Sequence, residues 1–273
     1  MYESYWRLKQ KPFENCADPR FYYPGETHQA GLLKLRYTVE NRRGAALLAG
    51  PSGVGKTLLI SMLRASLGEN VGPFVHICFP QMPAADLLAY LADELESSAT
   101  GGDTPSVQRS VRRISRALLS NAEQGRHTVI VIDEAHLIGD AATFETLRLL
   151  LNFEANGVPA VTILLVGETA LLPMIDRMPQ WEERLGVKCL LKPFVEAETA
   201  AYVEHRLRVA GAPRSLVEPA AIGTLQELTH GIPRRINRLC DLALLVGYAE
   251  EQPVLSAGHF ESVSRELIAV GVE

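Results

Sequence analysis

Two clusters in this chain have residue types and spacing suited to polyphosphate chemistry. The first is Gly50-Pro51-Ser52-Gly53-Val54-Gly55-Lys56-Thr57, a G-x-x-x-x-G-K-T phosphate loop, with Leu58 following it. Its glycines let the backbone wrap an anion, and the N–H groups opening the next helix point at that anion. The lysine cation reaches the β- and γ-phosphates, and the threonine hydroxyl is a hard oxygen ligand for Mg²⁺. A glycine-rich turn could match the pattern alone. Here the apolar run Ala45 to Leu48 precedes it as a strand and Leu58 to Leu63 follows as a helix, which is the context the loop needs. The expectation is ATP with Mg²⁺, held by Gly50 to Leu58, with Lys56 on the phosphates and Thr57 on the metal.

The second cluster ends Thr128-Val-Ile-Val-Ile-Asp-Glu-Ala-His136. An apolar, β-branched run reading straight into two acids predicts a buried parallel strand with carboxylates at its C-terminal edge, where open α/β sheets bind ligands. Asp133 is expected to hold Mg²⁺ through its water shell, and Glu134 to orient and activate the attacking water. Water activation serves hydrolysis and not mere binding. His136, opening the next helix, reads as a packing or capping residue.

These residues need a scaffold, and the pattern predicts one. Strands are expected near 45–49, 74–79, 128–132, 161–166 and 187–191, with helices near 57–67, 84–96, 107–123 and 141–154 between them. This alternation predicts an α/β core with a parallel, doubly wound sheet. The polar stretch Ser97 to Ser106 reads as a flexible loop. After Lys192-Pro193 only helical periodicity remains, near 196–210, 217–229, 232–249 and 257–269, broken at Gly211-Ala-Pro213, Gly231-Ile-Pro233 and Gln252-Pro253. Three parts are expected: an aromatic and Pro-rich segment with a helix over 1–43, a P-loop core over 44–193, and a small all-helical lid over 194–273. The first segment is expected to pack on the core. A nucleotide core followed by a helical bundle resembles the AAA+ layout.

The net charge of −5 argues against polyanion binding through the bulk field and leaves only local basic surfaces. The opening Met1 to Arg7 has no secretory signal pattern, and the apolar run Val161 to Val166 is too short to span a bilayer. Cys16, Cys78, Cys189 and Cys240 occur singly, so they read as reduced, mostly buried thiols of a cytoplasmic protein. Arg109, Arg112, Arg113 and Arg116 share one face of a helix. That face is either solvated or a contact for nucleic acid or another subunit.

The opening Tyr2-x-x-Tyr5-Trp6-x-Leu8-x-x-x-Pro12-Phe13, then Asp18-Pro19, the phosphate loop, Ile132 to His136, Leu147 to Glu154 and Gly231-Ile-Pro-Arg-Arg-Ile-Asn-Arg-Leu-Cys240 together resemble the ATPase domain of the general secretion pathway protein A family, also called ExeA-like. The resemblance covers nearly the whole chain. It implies that Arg234 contacts the γ-phosphate from the lid. It also implies that Arg184 is an arginine finger completing a neighbouring subunit's site, with Arg177 the alternative. Pro12-Phe13 and Asp18-Pro19 would lie near the adenine. The strand ending Val166-Gly167 is followed by Glu168, where the family usually has Gln. A carboxylate cannot donate a hydrogen bond to phosphate, so Glu168 either turns away with Thr169 substituting, or is protonated, or slows turnover. The resemblance implies an ATP hydrolase that is a homo-oligomer in its ATP state and acts on a protein of a secretion, pilus or envelope system. The alternatives are a DNA-associated, transposition-type regulator and an ATP-binding switch with very slow hydrolysis.

Overall fold

A computed structural model describes residues 1–16, 18–96 and 106–269; most of the polar stretch expected as a flexible loop lies outside them. The described residues form two compact units. One contains Thr27–Gly50 and Leu59–Leu191, the other Met1–Glu26, Pro51–Leu58 and Lys192–Glu273. The phosphate loop groups with the C-terminal helices.

The first unit is built on β1 (Ala45–Ala49), β2 (Val71–Ile77), β3 (His127–Ile132), β6 (Val161–Gly167) and β7 (Leu185–Leu190), with a small β4 (Glu154–Ala155) and β5 (Val158–Pro159) hairpin between β3 and β6. The five long strands form one sheet in the order β2-β3-β6-β1-β7, and every pairing in it is parallel. β1, β3 and β6 are buried along their whole length. A strand covered on both faces needs side chains apolar in both directions, which is why these segments read as continuous runs and not as alternations. Leu47, Ile130, Ile132, Ile163 and Leu165 lie in one core cluster with Leu87 and Leu91 of α3 (Ala84–Leu95), Ile114 and Leu118 of α4 (Val107–Glu123), Phe144 and Leu147 of α5 (Ala141–Leu150) and Trp181. Their strand neighbours Leu48, Val129, Val131, Leu164 and Val166 are equally buried and point to the other face. Leu35 and Val39 of α1 (Glu26–Glu40), and Leu59, Ile60 and Leu63 of α2 (Lys56–Ser66), are buried without belonging to the first cluster. A parallel sheet with helices flanking it is thus the observed architecture.

Helix starts follow local chemistry. Ser106 caps α4 by accepting from the Arg109 N–H at 3.3 Å, and Asp140 caps α5 by accepting from the Thr143 N–H at 2.7 Å. The helix expected to run to 154 stops at Leu150. The reason is the Asn156-Gly157 turn joining β4 to β5, with φ of +54° and +74°. Asn-Gly in left-handed conformations is the preferred two-residue hairpin turn, and the chain must leave the helix to form it. Arg113 turns toward α3, donating to Glu96 Oε2 at 2.7 Å and Asp93 Oδ1 at 2.8 Å, while Arg109, Arg112 and Arg116 stay exposed. Of the cysteines, only Cys189 and Cys240 are buried; Cys16 and Cys78 are exposed, which corrects the expectation of mostly buried thiols.

The second unit contains α8 (Glu196–Val209), α9 (Ala221–Thr229), α10 (Pro233–Ala249) and α11 (Ala257–Ala269). The N-terminal segment, expected to pack on the P-loop core, contributes to the core of this unit: Tyr2, Trp6, Leu8, Phe13 and Phe21 lie in one cluster with Leu207, Leu225, Ile236, Leu244 and Phe260. Polar groups fix the arrangement. The Trp6 Nε1–H donates to Leu244 O at 2.9 Å, and the Lys9 N–H donates to Ala210 O at 2.8 Å. Arg206, 3% exposed, is a buried cation that must find acceptors. It finds Pro12 O at 2.5 Å and Glu14 O at 2.9 Å, and its guanidinium lies 4.6 Å from the centre of the Phe21 ring.

Between α9 and α10 the chain turns at Gly231, whose φ is +67° and whose missing Cβ would sit 1.9 Å from Phe194 O. The Phe194 N–H donates to Gly231 O at 2.9 Å. No side chain fits there without moving backbone. The expected outcome for Gly231→Ala is a loss of about 3 kcal/mol in the helical unit, from left-handed strain plus overpacking. It is read as a lowered unfolding midpoint; an unchanged midpoint contradicts it.

Candidate nucleotide site

The phosphate loop continues from β1 and opens α2. Gly53 and Gly55 have φ of +79° and +100°, conformations that side chains rarely adopt, so two of the three motif glycines are required by backbone shape. Lys56 is 7% exposed, and its Nζ donates to Pro51 O at 3.1 Å, across the loop. Thr57 is exposed. The loop is also in close contact with the start of α10: the Arg234 N–H donates to Gly53 O at 3.2 Å, and a Cβ on Gly53 would meet Arg234 Cβ at 2.8 Å. The Arg234 side chain is exposed. A loop residue and the lid arginine singled out from sequence are therefore neighbours.

The acids are built by the sheet. Gly50 follows β1 and Asp133 follows β3, so both stand at the sheet's C-terminal edge; the Gly50 N–H donates to Gly167 O at 3.2 Å and the Asp133 N–H to Ile77 O at 2.8 Å. Asp133 is 4% exposed. Its Oδ1 accepts the Glu134 N–H at 2.9 Å, and its Oδ2 lies 3.2 Å from His76 Nε2. Glu134 itself is left-handed, φ +51° and ψ +35°, a conformation a non-glycine residue holds only when its surroundings impose it.

His136 does more than cap. Its Nδ1 accepts the Glu168 N–H at 3.2 Å and lies 3.5 Å from Glu134 Oε2. That lone pair cannot also carry a proton for the carboxylate, so the hydrogen bond from Glu168 assigns the ring hydrogen to Nε2. The Glu168 side chain is half-buried and makes no hydrogen bond or ion pair among the described residues; Thr169 beside it is exposed. Its backbone, not its carboxylate, is what ties the end of β6 to the acidic turn.

Arg184 is exposed just before β7 and donates to Asn152 Oδ1 at 2.9 Å. Arg177 is exposed at the end of α6 (Leu171–Asp176). Phe13, expected near the adenine, is 2% exposed within the helical unit's core, and Asp18 caps the turn Pro19–Phe21 while pairing with Arg20 at 2.6 Å. His76 was missed from sequence, although a polar residue between Val75 and Ile77 in an apolar strand end was a signal. Two glycines with positive φ and a lysine held across the loop suit a polyphosphate. The Thr57 hydroxyl and Asp133 carboxylate are hard oxygen donors that suit Mg²⁺. No group of three or more His, Cys, Asp or Glu that could hold a metal occurs among the described residues.

The chain is similar to General secretion pathway protein A of Aeromonas hydrophila, 31% identical over 273 residues, 99% of this chain and 49% of that protein. It is also similar to an "AAA ATPase forming ring-shaped complexes" of Corynebacterium diphtheriae, 26% identical over 182 residues, 63% of this chain and 33% of that one. The chain thus spans about half the length of the first relative and a third of the second. The structure of the Aeropyrum pernix ORC2 protein in ADPNP–ADP complexes superposes with a TM-score of 0.68 at 18% identity, over 94% of this chain and 72% of that one, which shows the P-loop AAA+ fold. No helix among the described residues is long and apolar enough to cross a membrane. The AAA domain family model matches residues 39–175, and the chain belongs to that family.

Proposed function

We propose that this protein binds ATP with Mg²⁺ and hydrolyses it, and that the ATP state drives assembly or remodelling of a partner in the manner of a secretion-type AAA+ ATPase. The observation that carries the reading is the acidic turn. A buried Asp133 and a half-buried Glu134, held left-handed, stand at the same sheet edge as Gly50, which opens the phosphate loop. The loop amides from Gly50 to Leu58 and Lys56 bind the phosphates, Lys56 exchanging its Pro51 carbonyl for them. Thr57 and Asp133 take the cation, which neutralises phosphate charge when bound. Glu134 accepts the proton of the attacking water. Arg234 senses the γ-phosphate, its place supported by the contact between its backbone and Gly53.

Arg184 acts in trans, in the neighbouring copy's site. Its exposure supports this, and so does its hydrogen bond to the neutral Asn152 side chain, which the guanidinium can leave. The expected result is Mg²⁺-dependent ATP hydrolysis whose turnover per subunit rises with protein concentration. In Arg184→Ala that turnover falls by about 10³-fold or more, the scale of an arginine finger. Turnover that stays flat with concentration in a protein that sediments as a monomer contradicts the trans assignment; absence of ATP hydrolysis in the wild-type protein contradicts the whole reading. The proposed partner is a protein of a secretion, pilus or envelope system. A DNA-associated role is the second reading, favoured by the exposed Arg109, Arg112 and Arg116 on one face of α4.

A further inference from the structure

His76 lies outside every motif of the chain, yet it is bonded to the most buried acid of the site. β2 and β3 pair in register, with His76 opposite Val131 and Ile77 opposite Ile132, and the ladder extends one step further through the Asp133 N–H to Ile77 O at 2.8 Å. Val75 and Ile77 point into the core cluster with Ile132. The alternation of a strand then puts His76, Val131 and Asp133 on the opposite face together. The two side chains meet there: His76 Nε2 is 3.2 Å from Asp133 Oδ2, with the carboxylate side chain 6% exposed and the imidazole 23% exposed.

An ionised carboxylate only accepts hydrogen bonds, so this contact requires the hydrogen on Nε2. The Glu134 N–H takes Oδ1 at 2.9 Å. Each carboxylate oxygen thus receives a donor, and the plane of the group is held by anchors on β2 and on the acidic turn. Such outer partners orient a metal-binding carboxylate and raise the affinity of the site. We propose that His76 is a positioning residue for the Mg²⁺ site, holding Asp133 in the orientation that receives the cation. This rests on the assignment of Asp133 to Mg²⁺ made above.

The test is metal binding, not turnover. Mn²⁺ affinity is measured by electron paramagnetic resonance on the full chain with a non-hydrolysable ATP analogue, and analogue affinity is measured separately in EDTA. His76→Ala is expected to weaken Mn²⁺ binding by about 10–100-fold with analogue affinity in EDTA unchanged. His76→Gln, whose Nε2–H reaches the position of the imidazole Nε2–H, is expected to stay within a few-fold of wild type. Wild-type Mn²⁺ affinity in His76→Ala overturns the proposal. So does a glutamine variant as weak as the alanine variant, because the donor is then not what matters. Asp133→Asn separates the two layers: if it binds Mn²⁺ as wild type does, the assignment of Asp133 itself fails. If it loses Mn²⁺ while His76→Ala does not, only the role of His76 fails.

Discussion

Glu134→Gln is expected to take up ATP with wild-type affinity and to turn it over about 10²–10⁴-fold more slowly, the range for losing a positioned general base. The substitution is nearly isosteric. It leaves untouched the backbone features that define the turn: the left-handed φ of +51° and the Glu134 N–H donated to Asp133 Oδ1 at 2.9 Å. What it removes is the ability to accept a proton from water. Binding and chemistry should therefore separate cleanly, with dissociation constants by calorimetry unchanged and steady-state phosphate release collapsing. Unchanged turnover would mean that some other group takes the proton. His136 is not that group through Nδ1, since the Glu168 N–H already uses that lone pair. A variant that keeps ATP bound is also the reagent for identifying the partner, by capture from native lysate.

Lys56→Ala is expected to weaken ATP binding by about 100-fold or more, the equivalent of roughly 3 kcal/mol, while the protein remains folded. The cation is 7% exposed, and its Nζ lies 3.1 Å from Pro51 O, so it stands at the loop, and its contact with a phosphate oxygen is charge-assisted and of the stronger kind. Isothermal titration of the two proteins with ATP and Mg²⁺ measures the loss, and nucleotide-free melting shows that the fold survives. Tight ATP binding by Lys56→Ala would remove the loop from the phosphate-binding role.

The chain's local code was legible in the residues themselves. The phosphate loop, the apolar strand ending in Asp133-Glu134, the five long strands and the helices flanking them all depend on period, turn chemistry and short-range spacing, which sequence carries directly. β1 and α4 fall on the expected residues, 45–49 and 107–123. The helix at 141–150 ran shorter than its apolar period suggested, because Asn156-Gly157 imposes a hairpin that periodicity does not see. What tertiary structure decided were the pairings between distant segments. The N-terminal aromatics could have served either apolar surface; Arg206, 194 residues from Pro12 and needing carbonyl acceptors for a buried charge, and the Leu244 carbonyl that takes the Trp6 N–H bind them to the C-terminal helices. His76 and Asp133 are 57 residues apart. Nothing local to either reveals the contact, which exists because β2 pairs beside β3 in a register that puts both side chains on one face. A chain specifies its elements through neighbours a few residues away, and the partners of a buried charge only through the fold that brings two strands together.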